Sequence, residues 1–241
     1  MSTKADKKLT PEQPPTPVPT PHAVFVGLED VAIAGRKIEY DILKKALADH
    51  KLSLTSDLFT RYCTATAAPY YLETLLQALN AKAGLAQKVL AEYHEALAAA
   101  LSNPPKVHAT ITKFIQTAES HNITATIYSL LPEAVATALA AKLGLEGLKL
   151  FTFKEMDKVF PRSDTWLKMA RALTKNTKNC LALVSNNASC KSAMFADVHT
   201  VVIPDEFTGF QDFGGAYAVL DDVADLHPQE IILGIFPELE K

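Results

Sequence analysis

The chain is poor in the features that mark several whole classes of protein. Its three cysteines, Cys63, Cys180 and Cys190, include no Cys-x-x-Cys pair. An odd, dispersed set supports neither a disulfide framework nor a structural zinc site, and each cysteine reads as a small buried apolar residue. The seven histidines, His22, His50, His94 and His108 among them, never fall at His-x-x-x-His or His-Glu-x-x-His spacing, so no metal cluster is expected. Charge of one sign is also lacking. The formal net charge is −3, which gives no electrostatic support for a nucleic-acid or membrane-surface role. No apolar run approaches the length of a membrane span. The opening MSTKADKKLT has lysines but no apolar stretch behind them, so a secretory leader is not expected and a cytoplasmic location is.

What is present is a large apolar fraction, 48% of 241 residues, enough for a sizeable core or for a core with an inserted module. Residues 1–21 are proline-rich and offer little to bury, so they read as a disordered tail. Pro11 and Pro14 have the P-x-x-P spacing of ligands for proline-recognition modules. From His22 the pattern changes. Ala23–Leu28 is a short apolar run of the kind that forms a buried parallel strand.

Residues 40–104 carry helical periodicity and no strand signal. Leu72, Leu75, Leu76 and Leu79 share one helical face, and Ala86, Val89, Leu90, Tyr93 and Leu97 another, with Gly84 between and Asn103-Pro104-Pro105 at the end. The Ala-rich run 95–100 suits close helix packing within the chain. Strands and helices then alternate: strands at 123–128, 148–153, 180–184 and 198–202, a helix from Pro132 to Gly144, one capped by Asp164 and one near 188–195. Such alternation predicts an α/β fold, a Rossmann-like parallel sheet with helices on both faces and an all-helical insertion. The expected division is a tail at 1–21, a core at 22–39 and 105–241, and a helical cap at 40–104.

In an open parallel sheet the site lies beyond the carboxyl ends of the strands. The residues there are Gly27–Asp30, Ser129, Phe160 and Val184–Asn187. AVFVGLEDVAI, TATIYSLLPEAVATALAAKLGL, VFPRSDTWLKMARAL and CLALVSNNASCKSAM resemble, in order, the four motif regions of the haloacid-dehalogenase (HAD) superfamily, and DFGGAYAVLDDVADL is similar to the C-terminal part of such proteins. The likeness runs from about His22 to Leu226 and matches the capped phosphatase and phosphoglucomutase subgroup.

The resemblance implies phosphoryl transfer or dehalogenation. A first Asp attacks, a second serves as acid and base, a Ser or Thr and a Lys hold phosphate, and an acidic residue of the fourth motif helps bind Mg²⁺. Residue by residue, this chain departs from that pattern. Gly27 stands at the nucleophile and Glu29 at the acid/base. Ser129 fits the second motif. Phe160 stands at the lysine, and Val184 and Ser185 replace the acidic pair. Sliding the match by one residue pairs Leu28 with Asp30 and restores nothing.

The expectation is a HAD-type protein that is no longer a catalyst and serves as a binding or interaction module. Its relic positions are Gly27, Glu29, Ser129, Phe160, Val184 and Ser185, its cleft is nearly neutral and partly apolar, and it needs no cofactor or metal. A small molecule or protein partner would sit in the core–cap cleft, with Ser129 and Glu29 as candidate contacts for a neutral or weakly anionic metabolite. The alternative is a divergent HAD-like phosphatase in which Glu29 activates water and Mg²⁺ is required. Bland readings stand beside these: Glu29 as a solvated or amide-capping turn residue, Ser129 as a helix N-cap, Lys154, Lys158 and Arg162 as surface cations. Asp205, Glu206 and Asp212 read as loop residues beside the aromatic anchors Phe207, Phe210 and Phe213. Tyr70 and Tyr71 read as packing residues or as pocket lining.

Overall fold

The computed structural model describes residues 20–152, 156 and 160–240. The proline-rich segment before Thr20, and with it Pro11 and Pro14, lies outside the described residues, as do Lys154 and Lys158. Six parallel strands form one sheet: β1 (Ala23–Gly27), β2 (Thr124–Ser129), β3 (Lys149–Thr152), β4 (Cys180–Val184), β5 (His199–Val202) and β6 (Ala218–Val219), in the order β3-β2-β1-β4-β5-β6. β1 and β4 lie at the centre and every residue of both is buried, which is why AVFVG and CLALV show no alternation. The two-residue β6 is too short to leave a periodic signal, and no strand is predicted there.

Four helices separate β1 from β2 and precede a fifth: α1 (Arg36–Asp49), α2 (Ser56–Cys63), α3 (Ala68–Ala78) and α4 (Ala86–Ala100), then α5 (Ala109–Ser120) against β2. Each of the four hides one stripe. Leu43 and Leu47 of α1 are buried with Val89, Tyr93 and Leu97 of α4, and α3 contributes Tyr71, Leu72, Leu75 and Leu76. These belong to one apolar cluster continuous with one face of the sheet. α1 begins at Arg36, ahead of the expected helical block, and this shift matters below. At the base of the insertion, the His108 amide donates to the Ala32 carbonyl at 3.1 Å.

Further α-helices among the described residues are α6 (Glu133–Lys142), α7 (Ser163–Ala172), α8 (Asn187–Phe195) and α9 (Pro228–Ile235). Gly144 follows α6 at φ +70°, a left-handed position that stops the helix without a Cβ penalty. Asp164 is not the cap of α7. It sits in the first turn behind Arg162, which makes no side-chain cap. The second sheet face is aromatic: Phe25, Tyr128, Phe151, Phe160 and Trp166 are all buried, and Trp166 donates its Nε1–H to Ser192 at 2.9 Å. Of the three expected aromatic anchors near the C-terminal end, Phe207 and Phe213 are buried, whereas Phe210 is 76% exposed.

Candidate functional site

Strand order reverses between β1 and β4, so the crevice lies over Gly27 and Ser185. Gly27 has φ −63° and ψ 126°, a conformation open to any residue. Space, rather than backbone angle, favours glycine here as long as Asp30 holds its place. A Cβ on Gly27 would stand 2.1 Å from Oδ1 of Asp30 and 3.1 Å from Oη of Tyr128. The five residues after β1, Leu28–Ala32, form a π-helical turn, and this turn folds the Asp30 carboxylate back over the strand tip. A carboxylate thus occupies the place that a residue-27 side chain would fill, but it arrives from three residues downstream.

Asp30 is held by an ion-paired network. Arg36 is 5% exposed, and its Nη2 donates to Ser185 Oγ at 2.8 Å and to Asp30 Oδ2 at 3.3 Å. Its Nη1 donates to Asp205 Oδ2 at 2.9 Å. The Ser185 hydroxyl donates in turn to Asp30 Oδ2. Beyond Arg36, Asp205 Oδ1 accepts from the Phe207 amide at 2.9 Å, and Thr208 Oγ1 donates to the Ser185 carbonyl at 2.6 Å. The network joins the turn after β1, the tip of β4 and the loop after β5. Sequence reasoning missed Arg36, which fell unremarked in the core segment 22–39 before the helical block, and took Asp205 for a plain loop residue.

Glu29 is not solvated. It is 6% exposed, and Oε1 accepts from the Leu130 amide at 2.6 Å, so only the amide-capping part of the bland reading describes it. Burial, reinforced by the nearby Asp30 and Glu39 charges, raises its pKa to about 8. Glu39, on α1, is raised to about 7, first by burial, against the lowering effect of Arg36. It accepts from Tyr93 Oη at 3.3 Å. Ser129 is fully buried and accepts from the Leu131 amide at 3.1 Å, a local turn. It is not an N-cap: α6 starts after Pro132 with no side-chain cap.

Phe160 lies against Tyr128 and Trp166, with ring centroids 5.6 Å from each. Val184 belongs to the same apolar cluster. Arg162 is a surface side chain 3.5 Å from Asp164.

Between the sheet tip and α1–α4 lies a small cavity walled by Glu29, Asp30, Arg36, Glu39, Tyr71, Tyr93, Tyr128 and Phe160 among others. Its free volume is about 30 Å³, room for one or two water molecules. Tyr71 faces it from α3. Of the expected nearly neutral, partly apolar cleft, Phe160 supplies an apolar lining, and Glu29, Asp30, Glu39 and Arg36 add a polar one whose Asp30 charge is paired with Arg36.

The resemblance to the HAD superfamily implies a magnesium site, and the residues present do not fit one. Mg²⁺ needs anionic oxygens that are free to coordinate. Gly27 and Ser185 supply no carboxylate, and Arg36 already engages the carboxylates of Asp30 and Asp205. Among the described residues, no three His, Cys, Asp or Glu side chains gather as a metal-holding group.

No family model and no curated protein matches the chain by sequence. Solved structures match its fold. CbbY from Rhodobacter sphaeroides, solved with phosphate, has 15% identity and a TM-score of 0.75 over 85% of this chain and 96% of its own. β-Phosphoglucomutase from Clostridium difficile has 16% identity and a TM-score of 0.72, covering 91% and 99%. A HAD hydrolase of family IA, variant 3, from Entamoeba histolytica has 17% identity and a TM-score of 0.72, covering 89% and 99%. At these identities the likeness is one of architecture, and the chain has the fold of the haloacid-dehalogenase-type phosphatases and phosphoglucomutases.

Proposed function

We propose that this chain is a non-catalytic protein of the HAD-type hydrolase fold. It acts as a binding or interaction module, through the cleft between the α/β core (22–39 and 105–241) and the helical cap (40–104) or through the cap surface, in a cytoplasmic setting. The observation that carries this reading is the Asp30 carboxylate seated over Gly27. A carboxylate nucleophile must present a free oxygen to the reacting centre. Asp30 Oδ2 is shared between Arg36 and Ser185, and Oδ1 lies against Gly27 in the space that a Cβ there would take.

Two further facts support the reading. Phe160, at the position of the phosphate-holding lysine, is packed among aromatic rings and has no charge to offer. The space above the strand tips takes one or two waters, far less than a sugar phosphate. The expected outcome is no release of phosphate above background when pure protein meets p-nitrophenyl phosphate or a panel of sugar phosphates with Mg²⁺ or Mn²⁺. Turnover that disappears in Glu29→Gln or Ser129→Ala would overturn the proposal. Ligands of the cleft are sought by thermal shift, since a molecule that binds only the folded chain raises its melting temperature.

A second reading, a divergent phosphatase, draws on one observation. Glu29, with its pKa raised to about 8, is a carboxylic acid that keeps its proton at neutral pH beside the Asp30 carboxylate. Such a pair is the usual equipment of acid–base chemistry. It requires a pH–rate profile whose alkaline limb falls near 8 and vanishes in Glu29→Gln.

A further inference from the structure

The poor fit to a divalent ion has a positive counterpart. Three oxygens from three separate segments converge on one positive charge: Asp30 Oδ2 from the turn after β1, Ser185 Oγ from the tip of β4 and Asp205 Oδ2 from the loop after β5. That charge belongs to the chain. It is the Arg36 guanidinium, which enters from the first residue of α1 and is buried at 5% exposure. A planar guanidinium holds several fixed donors and does not lose its proton, so it can bridge carboxylates that lie apart as a bound ion would.

We infer that Arg36 is the resident cation of this site. It balances the Asp30 and Asp205 carboxylates and ties the base of the helical insertion to two sheet tips, so that the folded chain neither needs nor admits a divalent ion there. The inference concerns the charge balance of the strand tips, and it stands whether or not the protein turns over a substrate.

The burial of Arg36, with Asp30 and Asp205 half-buried around it, makes the idea testable. An ion pair out of water is costly to break by removing one member, because the other is left uncompensated. Arg36→Met keeps most of the side-chain volume and deletes the charge. Its melting temperature should fall by on the order of 10 °C. Arg36→Lys, a point charge on a flexible stem, should recover only part of the loss, because it cannot reach both carboxylates in one fork. Removing a stranded carboxylate as well, in Asp30→Asn/Arg36→Met, should raise the melting temperature above that of Arg36→Met alone.

The wild-type chain should melt at the same temperature in EDTA and in 10 mM Mg²⁺, a probe concentration well above typical millimolar-or-tighter carboxylate sites. Arg36→Met melting like wild type would overturn the inference, and so would a wild-type melting point that climbs with Mg²⁺. If Arg36→Met does not fold, recovery of a folded chain in the double variant supports the inference, and failure of the double variant to fold counts against it.

Discussion

The two walls of the crevice solve the same problem in opposite ways. The Phe160 wall is apolar: the residue is 3% exposed and packs against Tyr128 and Trp166. On the Asp30 wall charge remains, but it is neutralised within the chain by Arg36. Burying an unpaired charge is expensive, and either deletion or internal pairing removes the expense. The contrast shows that one crevice can be walled by packed aromatic rings on one side and by an internally paired polar network on the other.

Substitutions sharpen the comparison. The largest effect belongs on the apolar wall. Phe160→Ala should destabilise the protein by about 3–5 kcal/mol, measured by urea unfolding, because it leaves a void beside Trp166. A loss under about 1 kcal/mol would mean that the wall is loosely packed. On the polar wall, Gly27→Ala puts a methyl group 2.1 Å from Asp30 Oδ1 and must expel that carboxylate from its seat. A loss of about 2–3 kcal/mol is expected from overpacking and a weakened ion pair. A variant as stable as wild type would place Asp30 elsewhere in solution.

The smallest effect is set by pH. Below pH 4.5, the ordinary value for glutamate, both folded and unfolded chains hold the Glu29 proton. As pH climbs towards about 8 the unfolded chain loses it while the folded chain keeps it, so this contribution to stability is lost through that window. Glu39, raised to about 7, acts in the same direction. Glu29→Gln removes the larger of the two liabilities. It should match wild type near pH 4 and exceed it by on the order of 2 kcal/mol at pH 8. Parallel pH profiles for the two proteins would show that Glu29 titrates as an ordinary surface carboxyl.

Much of this architecture was legible in the residues. AVFVG reads as a buried strand and CLALV as a strand, continuous apolar runs because both faces of the sheet are covered, and the ends of the same runs point to Gly27 and Ser185 at the crevice. The chemistry around them was harder to read. Helical periodicity becomes plain only where apolar residues recur, so the polar start of α1, Arg36 included, falls outside the expected helical block at 40–104. Asp205 follows β5 by three residues; inspecting the end of that strand as closely as the other strand ends would have placed it in the crevice. Glu29 misled because a carboxylate in a turn is ordinarily wet, and only the helices above make it dry. No local pattern announces the π-helical turn that swings Asp30 back over Gly27.

The hydrogen bond from His108 to Ala32 pinches the helical insertion at its neck, where the outgoing and returning strands of chain lie side by side. With Arg36 anchored four residues after Ala32, this backbone bond and the ion-paired network tie the start of the helical insertion down at two neighbouring points of the chain.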